Sequence, residues 1–331
     1  MPATAVGKIL EDLDALAGNI AFAHVQDPRT IIVTASVDRI RLTGIPSLDV
    51  DQHLSGKVTF VGTSSMEIRM YCTDDCGNAW MEAYFTFVAT DPVTSRPQKI
   101  APLQPDTPAE HAAFRAAAQR AQVKKEARRK NATSLQLDPH IEGKARQLLQ
   151  ESGPLLNMPS LANPHNILVG QTELQSIEIA QPQARNMANQ IFGGFLMRRA
   201  VELAWSTAYA FGGVRPIFYE VDQVQFTVPV NVGDLLNFHA RVLYWTTKDV
   251  DFTGHVFERD IPLVSVQVEA WIVDPSQASA KLSNEFYFTF ALPGTAATAI
   301  RQVLPSNMEE ARTMAMRMAA DLIQGADDVH G

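Results

Sequence analysis

Ile9, Leu13, Leu16 and Ile20 recur at three- and four-residue spacing within residues 7–23, which predicts a helix with one apolar face. The period then changes. Stretches at about 30–43, 54–61, 66–73 and 79–90 are rich in β-branched and aromatic residues, which predicts strands. The same order returns further on: a helical pattern over 194–211, then strand-like stretches at about 217–228, 235–246, 264–273 and 285–292, with one more at 173–180 ahead of the helix. One long helix against antiparallel strands is an α+β architecture. Such a sheet buries one face under its helix and offers an edge for pairing with a twin.

The two halves also echo each other residue by residue. Val37-Asp38-Arg39-Ile40 returns as Val221-Asp222-Gln223-Val224, and Val58-Thr59-Phe60 as Val242-Leu243-Tyr244, both at an offset of 184. Ala21-Phe22-Ala23 matches Ala208-Tyr209-Ala210 at 187, and Tyr84–Phe87 matches Tyr287–Phe290 at 203. The offset changes only between elements, as loop-length differences require. The step from 184 to 203 predicts an insertion in the second copy near 248–263. The division expected is a first domain over 1–95, a Pro-rich and helical linker over 96–170, a second domain over 171–295 and a helical tail over 296–331. The linker's Ala-rich helix ends in the basic run Lys124–Lys130, where cations suit a helix C-terminus, and reads as a solvated connector. The tail helix, about 307–324, reads as a brace. A strand precedes the second helix but only six residues precede the first, so the first domain is expected to lack its first strand or the true start to lie upstream.

Composition narrows the chemistry. The 331 residues carry a net charge of −8, which argues against a general nucleic-acid binder. No apolar run is long enough for a membrane span. The two cysteines, Cys72 and Cys76, sit in a turn-like Cys-Thr-Asp-Asp-Cys-Gly run with no second Cys or His pair to complete a metal site, so no metal is expected. The first residues show neither a secretory h-region nor an Arg-rich presequence, and the acceptor-like Asn131-Ala-Thr is read as chance.

The stretch Arg185–Trp205, RNMANQIFGGFLMRRAVELAW, puts Gly193-Gly194 where a helix opens. First-turn N–H groups lack internal acceptors, and bare glycines let a ligand approach them under the helix's positive pole. That suits an anion, or a carbonyl oxygen that becomes one during reaction. The bland reading is a turn packed on a strand. The run, with Gly7–Gly18 (GKILEDLDALAG) and Gly56–Phe60 (GKVTF), resembles the acyl-coenzyme A thioesterase 9 family. The resemblance implies two tandem hotdog domains, each a long central helix wrapped by a curved antiparallel sheet. It implies hydrolysis of fatty acyl-CoA to acid and CoA without a cofactor, CoA thioester being the substrate. It also implies a mitochondrial location, although no transit peptide is visible (otherwise cytoplasmic), and a homo-oligomer of double-hotdog chains.

Related hotdog thioesterases carry a carboxylate one or two turns into the central helix. At the helix offset of 187, Gly7 aligns with Gly194, Asp14 with Val201 and Val6 with Gly193. Neither copy is complete, so one composite site is expected, with Asp14 from the first and the Gly pair from the second, its reciprocal being defunct. Leu10, Ala17 and Ala21 put Asp14 at the border of the apolar face, where burial raises its pKa. Glu202 is the rival acid, but Arg198 and Arg199 lie one turn before it and an ion pair is expected. By the same resemblance Asn186, with Asn189 second, holds the water or the carbonyl, against a loop-capping role. Arg185, Arg198 and Arg199 are candidates for the CoA phosphates, against surface ion pairs. Two other functions remain open: a hotdog hydratase, for which Ala162-Asn-Pro-His165 is a partial motif, and a non-catalytic acyl-CoA sensor that would dispense with Asp14.

Overall fold

The computed structural model describes all residues except 1, 2, 28, 39, 43, 45–49, 95, 134–137, 187, 188, 223, 253–255 and 328–331. Helix α1 (Ala3–Val25) opens the chain and stops at Gln26, whose left-handed backbone (φ 55°) returns its N–H to Phe22 O at 3.1 Å. Strands β1 (Ile31–Val37), β2 (Ile40–Leu42), β3 (Gln52–Val61), β4 (Ser65–Asp74) and β5 (Ala79–Thr90) follow. Helices α2 (Pro108–Thr133), α3 (Pro139–Glu151) and α4 (Gly153–Asn157) lead to β6 (Asn166–Leu168) and β7 (Leu174–Ile179). The second unit is α5 (Gly193–Gly212), β8 (Ile217–Val221), β9 (Val224–Gln225), β10 (Leu235–Phe252), β11 (Val256–Asp274) and β12 (Ser279–Ala291). The chain closes with β13 (Gln302–Leu304), paired in parallel with β6, and α6 (Met308–Asp327).

One antiparallel sheet runs through both units in the order β3-β4-β5-β2-β8-β12-β11-β10-β7, with β1 bridging β5 and β9. The join is reciprocal: Ile40 pairs with Val221 and Val37 with Val224, the same two positions exchanged at the 184 offset. Both units carry a β-bulge at matching places, Val58/Phe60 and Val242/Tyr244. Both also return an aspartate N–H to a tyrosine carbonyl, Asp38 to Tyr84 and Asp222 to Tyr287. This is the self-complementary contact of a twofold pair, made within one chain. The curled sheet wraps α1 and α5, and the apolar residues of both units merge into one core. The architecture is that of two tandem hotdog folds.

Three departures from the sequence reading have physical causes. The stretches expected as single strands at 30–43 and 217–228 each break in two where the units meet, with β1 pairing to β9 and β2 to β8 across the join. The insertion predicted near 248–263 is a lengthened β10–β11 hairpin rather than a separate loop. The linker helix α2 is not simply solvated. Ala117 is buried, Phe114 packs on Phe60 with ring centroids 5.2 Å apart, and Arg120 reaches the buried Glu67 at 2.7 Å and lies 4.4 Å over the Tyr84 ring. Of the basic run that ends α2, most side chains lie outside the described residues.

The tail helix α6 repeats the α2 arrangement. α2 begins in a capping box of Thr107 and Glu110; at α6 Asn307 accepts the Glu310 N–H, and the Glu310 carboxylate accepts the Ser306 N–H one residue further back. Each sends an arginine over the matching tyrosine, Arg317 lying 5.1 Å from Tyr287. Arg317 is 8% exposed and pairs with Asp222 and Asp321. Removing one member of a buried pair strands the other's charge. Arg317→Met is therefore expected to cost about 3–5 kcal/mol in denaturant unfolding.

Candidate functional site

The site begins where α1 and α5 cross. The buried face of α1 is Val6, Leu10, Leu13, Ala17 and Ala21, while Ile9, Leu16 and Ile20 are half-buried. The expected stripe is thus rotated, because α1 packs against α5 as well as the sheet and small residues permit the closest approach. The rotation carries Asp14 inside the face rather than to its border. It is 1% exposed, on a par with the leucines around it.

Its carboxylate has two partners. The Gly194 N–H, at the opening of α5, donates to Oδ2 at 2.7 Å, and the Thr34 hydroxyl on β1 donates to Oδ1 at 2.9 Å. Burial raises the Asp14 pKa to about 6, against the opposing pull of those two bonds. The structure therefore brings Asp14 and Gly194 together across the two units. It also gives each glycine a packing reason. A Cβ on Gly194 would lie 2.9 Å from Asp14 Cβ and 3.0 Å from Glu11 Cα; one on Gly193 would lie 2.8 Å from the tip of the Phe226 ring. The Gly194 N–H, expected to face a ligand, is committed to Asp14. The Gly193 N–H has no acceptor among the described residues.

A cavity of about 210 Å³ lies beside Asp14 and Gly194, lined by their neighbours Thr34 and Gly193 and not by those two residues themselves. Thr34, Asn186, Gln190 and Gly193 form its polar side, and Leu196 and Phe226 stand among its apolar walls. Asn186 Oδ1 accepts the Gln190 N–H at 3.1 Å, so Asn186 both lines the cavity and caps the loop. Asn189 is exposed and left-handed (φ 60°), a turn residue away from the cavity lining.

The arginines divide. Arg198 pairs with Glu11 at 2.8 Å and Glu202 at 2.9 Å; Arg199 pairs with Glu178 at 2.8 Å and Glu202 at 3.2 Å. Glu202 is consumed by these contacts, as an ion-pair residue would be. Arg185 is exposed on the loop, bridged through its backbone to Ile191, and its side chain has no acidic partner among the described residues. His165, in the partial hydratase motif, closes a turn by donating its N–H to Asn163 Oδ1 and is not among the residues lining the cavity. Cys72 is buried and Cys76 exposed in the β4–β5 turn.

The mirror position is apolar. A Cβ on Gly7 would meet Arg198 Cγ at 3.1 Å and Val201 Cγ1 at 3.3 Å, the counterparts of Glu11 and Asp14 at the 187 offset. Val201, Phe218 and Val6 stand there in place of Asp14, Thr34 and Gly193, each at most 3% exposed. Thr34 was not singled out in the sequence. The signal was available, since the 184 offset sets it against Phe218 just as the helix offset sets Asp14 against Val201.

Comparison with known proteins supplies the family. Acyl-coenzyme A thioesterase 4, mitochondrial, of Humulus lupulus is 40% identical over 96% of this chain and 61% of its own length. Acyl-coenzyme A thioesterase 2, chloroplastic, from the same plant is 39% identical over 96% of this chain and 74% of its own length. The chain belongs to the acyl-coenzyme A thioesterase family. Acyl-coenzyme A thioesterase 9, mitochondrial, of Homo sapiens is 34% identical over 86% of this chain and 64% of its own length. No protein-family model matches the chain. Against the first of these relatives it spans 61% of the length.

Proposed function

We propose that this chain hydrolyses acyl-CoA thioesters to free acid and CoA, with Asp14 as the general base. The observation that carries the reading is a buried carboxylate fixed at a helix N-terminus by one hydroxyl and one N–H, beside a cavity, with its pKa at about 6. A base of that pKa is ionised at neutral pH yet accepts a proton readily. Water held against Asp14 loses its proton to the carboxylate as its oxygen attacks the thioester carbonyl. The oxyanion takes the Gly193 N–H as donor under the positive end of α5. Collapse breaks the C–S bond, and the proton on Asp14 passes to the departing CoA sulfur. Asn186 shapes the cavity wall from the same loop.

The three reacting roles fall to protein groups, so the reading assigns no cofactor. Arg185, uncommitted to any described acid, is assigned to the CoA phosphates. The names of the relatives support an organelle location, and a mitochondrial one is proposed. Exposed Ile177 and Ile179 on the free edge strand β7 support assembly of several chains. No described helix is long and apolar enough to cross a membrane.

The test is CoA-thiol release from a panel of acyl-CoAs by the purified chain. Turnover supports the reading; binding without release favours a sensor. Thr34→Val removes one donor to the carboxylate while keeping shape. It is expected to lower kcat by about tenfold, the worth of a bond to a charged group, and to move the acid limb of the pH–rate profile to higher pH.

A further inference from the structure

The segment after β9 is held by hydrogen bonds on both sides of Phe226. Phe226 donates its N–H to Ala35 O at 3.1 Å, one residue from Thr34. Gln225 O accepts the Asn284 amide at 2.8 Å, the Thr227 hydroxyl donates to Ser283 O at 2.9 Å, and the Ser283 hydroxyl donates to Val228 O at 3.0 Å. Ser283 and Asn284 are 0% and 2% exposed, on β12. Burying two polar side chains is tolerable when their hydrogen bonds are made, and here those bonds go to the backbone on both sides of Phe226. The ring itself points tip-first at Gly193, so close that no side chain fits between them. It therefore stands fixed between the glycine that opens α5 and the strand that carries Thr34.

We propose that Phe226 is the wall that sets acyl-chain length, and that the site takes short-chain acyl groups. This rests on the thioesterase reading of the same cavity. The polar side, with Thr34 and Gly193, takes the thioester head. What remains is walled by Val33, Ile191, Leu196, Phe226 and the Val228–Val230 stretch, and the cavity is about 210 Å³, below the range of about 300–1,000 Å³ usual for pockets that take drug-sized ligands. An acyl chain that runs on from the head within the cavity meets the Phe226 ring, and a longer chain fits there only if the ring leaves. The wall is pinned at three backbone groups and one hydroxyl, so the ring does not leave by a hinge of the segment.

The experiment compares wild type, Phe226→Ala and Phe226→Leu on acetyl-, butyryl-, hexanoyl-, decanoyl- and palmitoyl-CoA. Hydrolysis is followed by thiol release, and affinity by calorimetry with the matching non-hydrolysable thioethers. In the wild type, kcat/KM and affinity are expected to peak at or below hexanoyl. In Phe226→Ala the decanoyl-to-butyryl ratio of kcat/KM should rise by at least about tenfold, the low end of what one methylene is worth in an apolar pocket, with Phe226→Leu between. The same reordering should appear in the thioether affinities. A ratio that stays fixed while all substrates slow together would overturn the wall and make Phe226 a packing residue. Wild-type affinity that is greatest for palmitoyl would overturn it too. If no substrate is hydrolysed, the thioesterase reading fails by itself, and the thioether affinities still decide whether Phe226 limits chain length.

Discussion

Asp14→Asn is expected to lose at least about a hundredfold in kcat, the usual scale for removing a general base, and yet to be the more stable protein at neutral pH. Both halves follow from burial. The folded carboxyl has a pKa of about 6 against an ordinary value of 3.8. Between those values the native state holds the proton more than the unfolded chain does, so stability falls as pH rises through that window. Above it the folded protein carries the whole cost of a buried charge, at most about 3 kcal/mol for a shift of roughly two units. Asparagine has nothing to ionise. Urea unfolding should therefore favour the variant by up to about 3 kcal/mol at pH 7, with the gain fading toward pH 4. Full activity in the variant, or a loss of stability at pH 7, would contradict this.

Gly194→Val carries the second large effect. The added Cβ would meet Glu11 Cα at 3.0 Å, Glu11 O at 3.1 Å and Asp14 Cβ at 2.9 Å. Two of these are helix backbone and the third is a helix-fixed Cβ, and none can swing aside. α1 and α5 must part, at an overpacking cost of about 1–3 kcal/mol, and the 2.7 Å bond to Asp14 is lost with them. Turnover should fall at least about a hundredfold, since catalytic geometry fails with displacements near 1 Å. Gly7→Val, at the mirror position, meets the flexible Cγ of Arg198 and the tip of Val201, and should keep most of the activity. Comparable losses from both variants would mean that the helix crossing, rather than the Asp14 contact, is what matters.

Much of the fold is legible in the sequence alone. Helix and strand periods locate both units, because each element buries one face. The internal offsets foretell the pairing across the join, and the comparison of Asp14 with Val201 foretells which copy places a carboxylate at the helix crossing. What stayed hidden depends on contacts between elements. The rotated face of α1 follows from packing against α5, which periodicity within one helix does not report. Thr34 bears on Asp14 only because β1 crosses above α1. The Gly194 N–H looks open in sequence and is occupied in the fold, since its acceptor lies 180 residues away. The likeness of α2 and α6 was masked by their different compositions. It rests on one first-turn glutamate and one arginine each, too little for a pattern to show.

The most direct test of Asp14 as the base is the pH dependence of wild-type kcat/KM on butyryl-CoA, from about pH 4.5 to about pH 8. The composite site predicts a rate that rises about tenfold per pH unit on the acid side, bends near pH 6 and stays level above it, as a single base with the Asp14 pKa requires. A rate that is level across the whole range would contradict it.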